Sequence, residues 1–573
     1  MTLYCGIKES NVKELVKFLK EKNLWLKGKK VIKKNDKKFF PVQEKFDFDN
    51  VIFKEFEIKD RRDISLPSYD SIGEIAIVED REDIDIKEEA EKILKVNKNI
   101  KRVYKKSGIH DTEFRIQPIE FVKGDEDNTI TDYKENKTQL KLDVAKTYFS
   151  PRLGTERRKI YDQIEEDEKV LVQFSGVGPY IYQIANNSNA KFVYGIELNP
   201  NAYKYSYENK FLNKAQNTLP IFGDVREIMK EFPKHLFGLK SSIDKNQLSK
   251  RLNKNYSIHE IHLYYDDLFS ESEDIENRGK KFKETHNIIN LKNKINELKN
   301  KNKNVFLHMP IRKKGKLIND VKDYLEVLNK LGKLAKKYFV GVIVHIHDDE
   351  MIEFILNRFK KYKSYFYYET LMESFSDSKV ILNYKNLIEN VCVDVSHLAL
   401  NTRSNKKLKD EIKTLYNNFN LYYHISNTSF NDKSKEGDLI SNGDIKLKEI
   451  SNYFTYGIVE VRNGDENDPK EMIKSHNEIE EIFNNKRFFD RIIMPLPKDA
   501  NLFLDSVLPY IKNNGVVHLY DFLNEEDIPQ GTIEKFDEYA KKYDLDYECL
   551  EVRKTGQYAP GKYRVCGDFK ILN

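Results

Sequence analysis

From Glu168 onward the chain alternates apolar runs with helical patterns, in an order that predicts a parallel α/β sheet. EKVLVQFSGVGPYIYQIA reads as an apolar strand running into a glycine-rich turn and a helix, KFVYGIELNP as a second strand ending on Glu197, and LPIFGDVREI as a third ending at Asp224. Strand, glycine-rich turn, helix, strand-acid, helix, strand-Asp is the opening half of a doubly wound sheet that binds a nucleoside. Glycines in the first turn let the backbone approach a ligand. An acid at the end of the second strand can accept hydrogen bonds from two ribose hydroxyls. Because GVGP is not GxGxxG, the combination favours a methyl-donor site over a dinucleotide site. The sheet then stops half built, and its continuation, FFDRIIMPLPKDANLFLDSVLPYIKNNGVVHLYDF, appears only at Phe488.

The intervening stretch has its own rhythm. Strand-like runs recur as HLFGLKSS, IHEIHLYY, NVFLHMP, VGVIVHIH, SYFYYETL, VCVDVSHLAL, LYYHISNT and YGIVEVRN, mostly separated by Lys- and Glu-rich helical patterns. Eight such units over about 250 residues match a (β/α)8 barrel. Upstream, Val12, Leu15, Val16 and Leu19 lie at helical spacing beside strand-like KKFFPV, and SIGEIAIVE, a helix through Ile93 and FRIQPIEFVKGD form a second pattern. The expected class is α/β: a class I, Rossmann-like sheet interrupted by a barrel and preceded by two small α+β domains. The expected boundaries are 1–58, 59–145, 146–230, 231–487 and 488–573. A barrel entering after Glu227 and leaving near Phe488 would lie beside the methyl-donor cleft, where it could gate access.

Composition narrows the class without naming a partner. With 573 residues, 39% hydrophobic and 12% aromatic, the chain has apolar material for several cores, which excludes global disorder. Lys and Arg total 98 against 93 Asp and Glu, and a net +5 over this length does not establish a nucleic-acid partner, although local basic patches remain open. Cys5, Cys392, Cys549 and Cys566 show no CxxC spacing and are too sparse for a disulfide framework, which fits a reducing compartment. No signal-peptide pattern and no membrane-length apolar run of about 18 residues is present, so a cytoplasmic location is expected.

The run DVAKTYFSPRLGTER, followed by FSGVGP, IELNP, GDVRE, DRIIMPLPK, GVVHLYDF and YRVCGDFKI, resembles the archaeal and eukaryotic tRNA (guanine-37 N1)-methyltransferase family and its relatives in wyosine biosynthesis. The resemblance implies S-adenosylmethionine as cofactor, contacted by Phe174, Gly176, Gly178, Pro179, Glu197, Leu198, Asn199, Asp224 and Val225. It also implies tRNA gripped at the anticodon stem-loop and the distal elbow by the small N-terminal modules; a monomer is expected. Methylating guanine N1 requires removal of its proton, because the neutral ring nitrogen has no free lone pair there. The Glu of the TER segment, Glu156, takes that role by resemblance. Arg115, in an EFR context, would stabilise charge developing on O6, and Arg152 would contact phosphate or substrate. Two positions depart from the common pattern. Val172 stands where many members carry an acid, and Pro495-Leu496-Pro497 replaces Asn-Leu-Pro. The Pro-Leu-Pro form, with Pro495 and Pro497 at the catalytic loop, resembles the archaeal branch that also methylates a wyosine intermediate.

The inserted runs supply histidines and acids near successive strand ends, ligand types that suit Zn, Mn or Fe. HMP, VIVHIH, YYET, DVSHLAL, HISNT, SNGDI and VEV resemble the xylose-isomerase-like barrels, which include endonuclease IV and sugar epimerases. Carried over individually, His308, His345 or His347, Glu369, Asp394, His397, His424 and Glu460 fall at metal-ligand positions. Asp438 lacks the histidine that a three-metal endonuclease pairs with it, so one or two metals and a site without chemistry both stay open. A different class of function therefore stands beside methyl transfer: a metal-dependent barrel enzyme, cutting abasic DNA or isomerising a sugar, with the split domain as its nucleic-acid anchor. A third is a barrel that binds without catalysing.

Overall fold

The computed structural model describes residues 2–8, 11–26, 31–34, 37–56, 66, 68–81, 85–108, 113–252, 255–269, 286–318, 320–461, 468–483, 487–496 and 498–573. The chain divides into two compact units, Met1–Ser68 and Tyr69–Asn573. In the first, strands β1 (Thr2–Lys8), β2 (Ile32–Lys34), β3 (Lys37–Pro41) and β4 (Ile52–Phe56) form an antiparallel sheet in the order β2-β3-β1-β4. Helix α1 (Val12–Glu21) contributes Leu15 and Leu19 to a core with Cys5, Ile7, Phe40 and Val42. Their four-residue spacing puts both leucines on one helix face.

The second unit begins with a four-stranded sheet, β5 (Tyr69–Ile72), β6 (Ile75–Val78), β7 (Arg102–Lys106) and β8 (Ile119–Gly124), with helix α2 (Ile86–Val96) between β6 and β7. A hairpin of β9 (Ile130–Glu135) and β10 (Thr138–Asp143) follows. The host domain comes next: α3 (Gly154–Tyr161), β11 (Lys169–Val172), α4 (Pro179–Asn187), β12 (Phe192–Glu197), α5 (Pro200–Leu212), β13 (Thr218–Phe222) and α6 (Val225–Lys230). The chain then leaves this domain to build eight parallel strands: β14 (Phe237–Ser241), β15 (Ile258–His262), β16 (Asn304–His308), β17 (Gly341–Val344), β18 (Phe366–Glu369), β19 (Asn390–Asp394), β20 (Asn420–Ile425) and β21 (Gly457–Val459). They close into a barrel in sequence order, and each of the eight strand-like runs supplies one strand.

After the barrel the chain returns with β22 (Phe489–Met494), β23 (Ile511–Asn524), β24 (Tyr547–Ala559) and β25 (Lys562–Ile571). The host sheet has the order β13-β12-β11-β22-β23-β25-β24, with β25 antiparallel to both neighbours. Its central joint pairs β11, from before the insertion, with β22, from after it: Val170 faces Arg491, Leu171 faces Ile492 and Val172 faces Ile493. Both strands are apolar through most of their length because both sheet faces are covered.

Helix α5 shows how tightly the parts are packed. It has no apolar stripe, and Tyr203, Ser206, Tyr207, Asn209, Lys210 and Phe211 are all buried. Asn209 and Asn213 dock the open edge of β10. Lys141 N–H donates to Asn209 Oδ1 at 2.8 Å and Gln139 N–H to Asn213 Oδ1 at 2.9 Å, while each amide group donates back to the same residue's carbonyl. The C-terminal half of α5 meets the barrel, where Val305 N–H donates to Tyr207 Oη at 3.2 Å and Phe211 stacks on Tyr365. Asn304 Nδ2 donates to Pro220 O, Tyr367 Oη to Gln216 Oε1, and Lys169 Nζ to Asn452 O.

These barrel contacts cluster at the N-terminal ends of its strands, beneath a plug of Phe306, Tyr367, Tyr422 and Tyr456. Host strands carry ligand residues at their C-terminal ends, as do barrel strands. The barrel therefore stands on the host by its base, and its mouth opens away from the donor turn.

Lys210, 2% exposed, lies in this joint with only Tyr456 Oη at 3.5 Å, and no carboxylate pairs with it among the described residues. Burial lowers its ammonium to about 7 from an ordinary 10.5. Between those values the unfolded chain binds more protons, so stability rises with pH; the cost of this group is complete below about 7 and absent above about 10.5. Lys210→Met is expected to stabilise the protein by about 1–4 kcal/mol at pH 7. The gain should shrink toward pH 10, which thermal unfolding at the two pH values checks.

Candidate functional site

The turn after β11 is built to hold a ligand against backbone. Phe174, Gly176 and Gly178 all have positive φ, at 50°, 57° and 90°. A side chain at Gly178 would also place its Cβ 2.1 Å from the Tyr182 ring, so this position requires glycine. Pro179 starts α4 at its first position. Glu197, at the end of β12, accepts Gly176 N–H at 2.6 Å on one oxygen and Asn199 N–H at 2.6 Å on the other. Burial pushes its carboxyl upward and these backbone donors oppose that push. Each oxygen retains lone-pair capacity, which is what a pair of ribose hydroxyls needs. Leu198 is half-buried beside it.

Three residues grouped with this turn by sequence have other duties in the structure. Asn199 Oδ1 caps α5 and its Nδ2 donates to Lys146 O at 2.8 Å, so its side chain is spent on structure. Val225 is buried in the core with Ile228. Asp224 caps α6 and pairs with Arg226, Nη2 to Oδ2 at 2.6 Å. That pairing holds its carboxyl below the usual range. Gly223 N–H donates to Glu197 O, which keeps Asp224 next to the donor turn.

Glu156, on α3, is 4% exposed and fully engaged. Its Oε1 accepts Arg553 Nη2 at 2.7 Å and Tyr520 Oη at 3.0 Å. Tyr180, one residue into the helix that the donor turn begins, donates to Tyr520 Oη at 3.0 Å, so two hydroxyls link the donor helix to this carboxylate. Behind Arg553 runs a buried chain of charges: Arg553 Nη1 to Asp568 Oδ2 at 2.5 Å, His518 Nδ1 to Asp568 Oδ1 at 2.7 Å, Arg491 Nη1 to His518 Nε2 at 2.8 Å, and Arg491 to both oxygens of Glu168. Because a guanidinium only donates, His518 Nε2 is the acceptor and its proton sits on Nδ1, facing Asp568. Burial also lowers the His518 imidazole, consistent with a neutral ring. Against the upward push of burial, His518 and Arg553 hold the Asp568 carboxyl well below the usual range. His518, Cys566 and Asp568 have metal-like spacing, but a guanidinium on each side makes this an ionic chain and not a cation site.

The remaining methyl-transfer residues are placed as follows. Arg115, at φ 50°, donates to Lys498 O at 2.9 Å, which holds it against the segment that follows Pro495. Burial pulls it below its ordinary value and Asp499 opposes this. Pro495 is half-buried directly after β22, and Pro497 lies outside the described residues. Arg152 pairs with Asp70 at 2.7 Å on the surface, which ties the turn before α3 to β5.

In the barrel, His308, His345 and Glu369 converge. His345 Nε2 lies 2.6 Å from Glu369 Oε2 and 3.1 Å from His308 Nε2. His347 is exposed and outside this group, so of the two candidates His345 is the ring member. Opposite them, His424 lies between Glu460 Oε2 at 2.7 Å and Glu260 Oε2 at 3.0 Å. Against burial, His345 and His424 hold Glu369 well below the usual carboxylate range. Asp394 caps the helix that carries His397, accepting its N–H at 2.9 Å. His397 Nδ1 contacts Thr370 O and its Nε2 contacts Glu436 Oε1 at 2.7 Å. Burial notwithstanding, Asp394 and Glu436 raise this ring to about 10. Glu369, Asp394 and His397 also bring one ligand atom each within 4.8 Å of one another.

The fit of the other ring residues to a cation rests on how closely their ligand atoms converge. Glu260 Oε1, Glu460 Oε2 and His424 Nδ1 are buried without an aligned hydrogen bond, although the last two are 2.7 Å apart. Groups such as Glu260, His308 and His424, or His308, His345 and Glu369, bring one ligand atom each within 4.8 Å of one another. That donor set suits a divalent ion. Above it opens a cavity of 770 Å³, lined by Lys240, Arg251, His262, His308, Glu369 and Glu460 among others.

Sequence reasoning missed Lys240, whose Nζ lies 2.7 Å from Glu460 and 3.6 Å from Glu260. It also missed Glu436, Tyr520, Arg553 and the chain through Asp568, His518 and Arg491. Their signal was a polar residue inside an apolar strand, as in DRIIM and GVVHLYDF, which identifies no partner.

The chain matches the TRM5/TYW2 methyltransferase domain in two pieces, residues 131–285 and 460–550. It is 44% identical over 163 residues to a tRNA (guanine(37)-N(1))-methyltransferase of Pyrococcus abyssi, covering 28% of this chain and 48% of that protein. It is 45% identical over 148 residues to a tRNA (guanine(37)-N(1))/4-demethylwyosine(37)-methyltransferase of Nanoarchaeum equitans, covering 26% and 49%. The matches thus span about half the length of these relatives. The crystal structure of the Pyrococcus abyssi enzyme aligns over 100% of both chains at 20% identity, with a TM-score of 0.42. Residues 131–285 and 460–550 of this chain thus resemble the TRM5/TYW2 methyltransferase domain, and the first of these pieces runs into barrel strands β14 and β15.

Proposed function

We propose that the host domain transfers a methyl group from S-adenosylmethionine to N1 of guanine 37 in the tRNA anticodon loop, and that a wyosine intermediate at the same position is a second acceptor. One observation carries this reading: a glycine turn gripped by Glu197 is joined through Tyr180 and Tyr520 to the buried carboxylate of Glu156. The sheet order, the family match and the names of the relatives support it. The small N-terminal modules would hold the tRNA at its elbow and anticodon stem.

When bound, the donor supplies an electrophilic methyl on a sulfonium. The residues of this chain do the rest. Glu197 and the turn at Gly176 and Gly178 hold the nucleoside end of the donor. Glu156 accepts the N1 proton, and Tyr520 and Arg553 fix the direction of its oxygen. When Glu156 becomes neutral, Arg553 keeps Asp568 as its counter-charge, so no buried cation is stranded. Arg115 faces the charge that develops on O6. The base must be splayed from its loop to reach this pocket.

For the barrel we propose a divalent metal, Zn or Mn, held by ligands drawn from Glu260, His308, His345, Glu369, His424 and Glu460. The buried convergence of these imidazoles and carboxylates, with one ligand atom each within 4.8 Å in groups of three, supports this.

Glu156→Gln is expected to lower kcat by about 10²–10⁴-fold with donor affinity unchanged, measured by methyl incorporation into a G37 transcript. Glu197→Ala is expected to weaken donor binding by about tenfold or more and leave tRNA binding intact, measured by calorimetry. Purified protein should carry stoichiometric divalent metal that Glu369→Gln loses, by elemental analysis. A chelator should leave methyl transfer unchanged, because the barrel mouth opens away from the donor turn.

A further inference from the structure

The C-terminal end of β23 and the hairpin of β24 and β25 present a group of side chains that the chemistry above does not use. Tyr558 is 65% exposed, and its ring packs on Phe522 with centroids 4.4 Å apart. The Arg564 guanidinium lies 5.6 Å from the same ring centroid. Arg564 Nη2 reaches Tyr148 Oη at 3.5 Å, and Tyr148 is itself 40% exposed. No carboxylate pairs with Arg564 among the described residues, and its Nε is buried without an acceptor. Arg115 lies within electrostatic reach of Arg564, Tyr148 and Tyr558. The Arg564 guanidinium thus stands beside exposed aromatic rings without a carboxylate partner among the described residues.

This group adjoins the donor turn. The carbonyl of Tyr148 lies 3.8 Å from where a Cβ on Gly176 would sit, and Lys146 O receives Asn199 Nδ2. Phe522 follows Tyr520, which holds Glu156, by two residues on β23.

We infer that Tyr558, Phe522 and Arg564 form a platform for a nucleotide that flanks the methylated base, with Tyr558 stacking on the neighbouring base and Arg564 binding the phosphate between the two. The inference rests on the tRNA-methylating reading and names the surface that keeps the loop open once the target base has been extracted. Single-stranded RNA is the occupant that fits these groups: exposed rings take unstacked bases, and an arginine without a carboxylate takes a phosphate.

The test uses the full-length protein, S-adenosylmethionine and a tRNA transcript with G37. Arg564→Ala is expected to raise KM for tRNA about tenfold with kcat within about twofold, and to reduce the slope of log Kd against log salt by about one. Arg564→Lys should keep the slope. Tyr558→Ala should weaken tRNA binding about tenfold, Tyr558→Phe should restore it, and Tyr558→Leu should not. Donor affinity should be unchanged throughout, which shows that each variant is folded. If wild-type protein methylates the transcript and the Tyr558 and Arg564 variants bind it with wild-type affinity and salt slope, the platform is overturned while the methylation reading stands. If wild-type protein binds tRNA through Tyr558 and Arg564 yet methylates nothing at position 37, the platform stands and the reading falls.

Discussion

Two buried ion pairs hold an interrupted domain together. Glu168 with Arg491, and Glu156 with Arg553, each join a residue from before the barrel to one from after it, and Asp568 and His518 connect the pairs into one chain. β11 against β22 makes the same joint in backbone hydrogen bonds. Apolar packing alone would tolerate several registers between two strands so remote in sequence. Charges buried this deeply tolerate only the register that pairs them, because any other leaves an uncompensated ion in a low-dielectric interior.

The same chain sets the geometry of the candidate base. Glu156 is aimed by Arg553 and Tyr520, both contributed by strands that the chain completes only after building the barrel. The site therefore exists only once the domain has closed around its insertion. An insertion is compatible with this because it leaves after α6 and returns at β22 with its ends close together, Phe232 packing on Phe488 and Phe489.

The barrel adds a second ring of titratable groups, separated from the first by its own plugged base. Lys240 brings a fixed positive charge into that ring, against Glu460 and Glu260, and so limits how much additional cation the carboxylates can take. Two groups of titratable residues with different surroundings are kept apart in this way. One is a buried carboxylate held by Arg553 and Tyr520, and the other a cluster of imidazoles and acids open to a cavity.

What the sequence determined by itself was local. Period-two and period-3.6 patterns mark each barrel strand and the host strands, and the glycine turn, Glu197 and Asp224 follow one another at spacings set by a single βαβ unit. His308, Glu369, His424 and Glu460 could be named because barrel chemistry sits at strand ends. Tertiary structure alone decided which of His345 and His347 faces the ring, that His397 is bound on both nitrogens, and that Asn199 is a helix cap. It alone joined Glu156 to Arg553 across 397 positions. Spacing reports which residues share a strand or a helix face. Side-chain orientation within a strand end, and ion pairing across an insertion, depend on contacts between elements that no local period encodes.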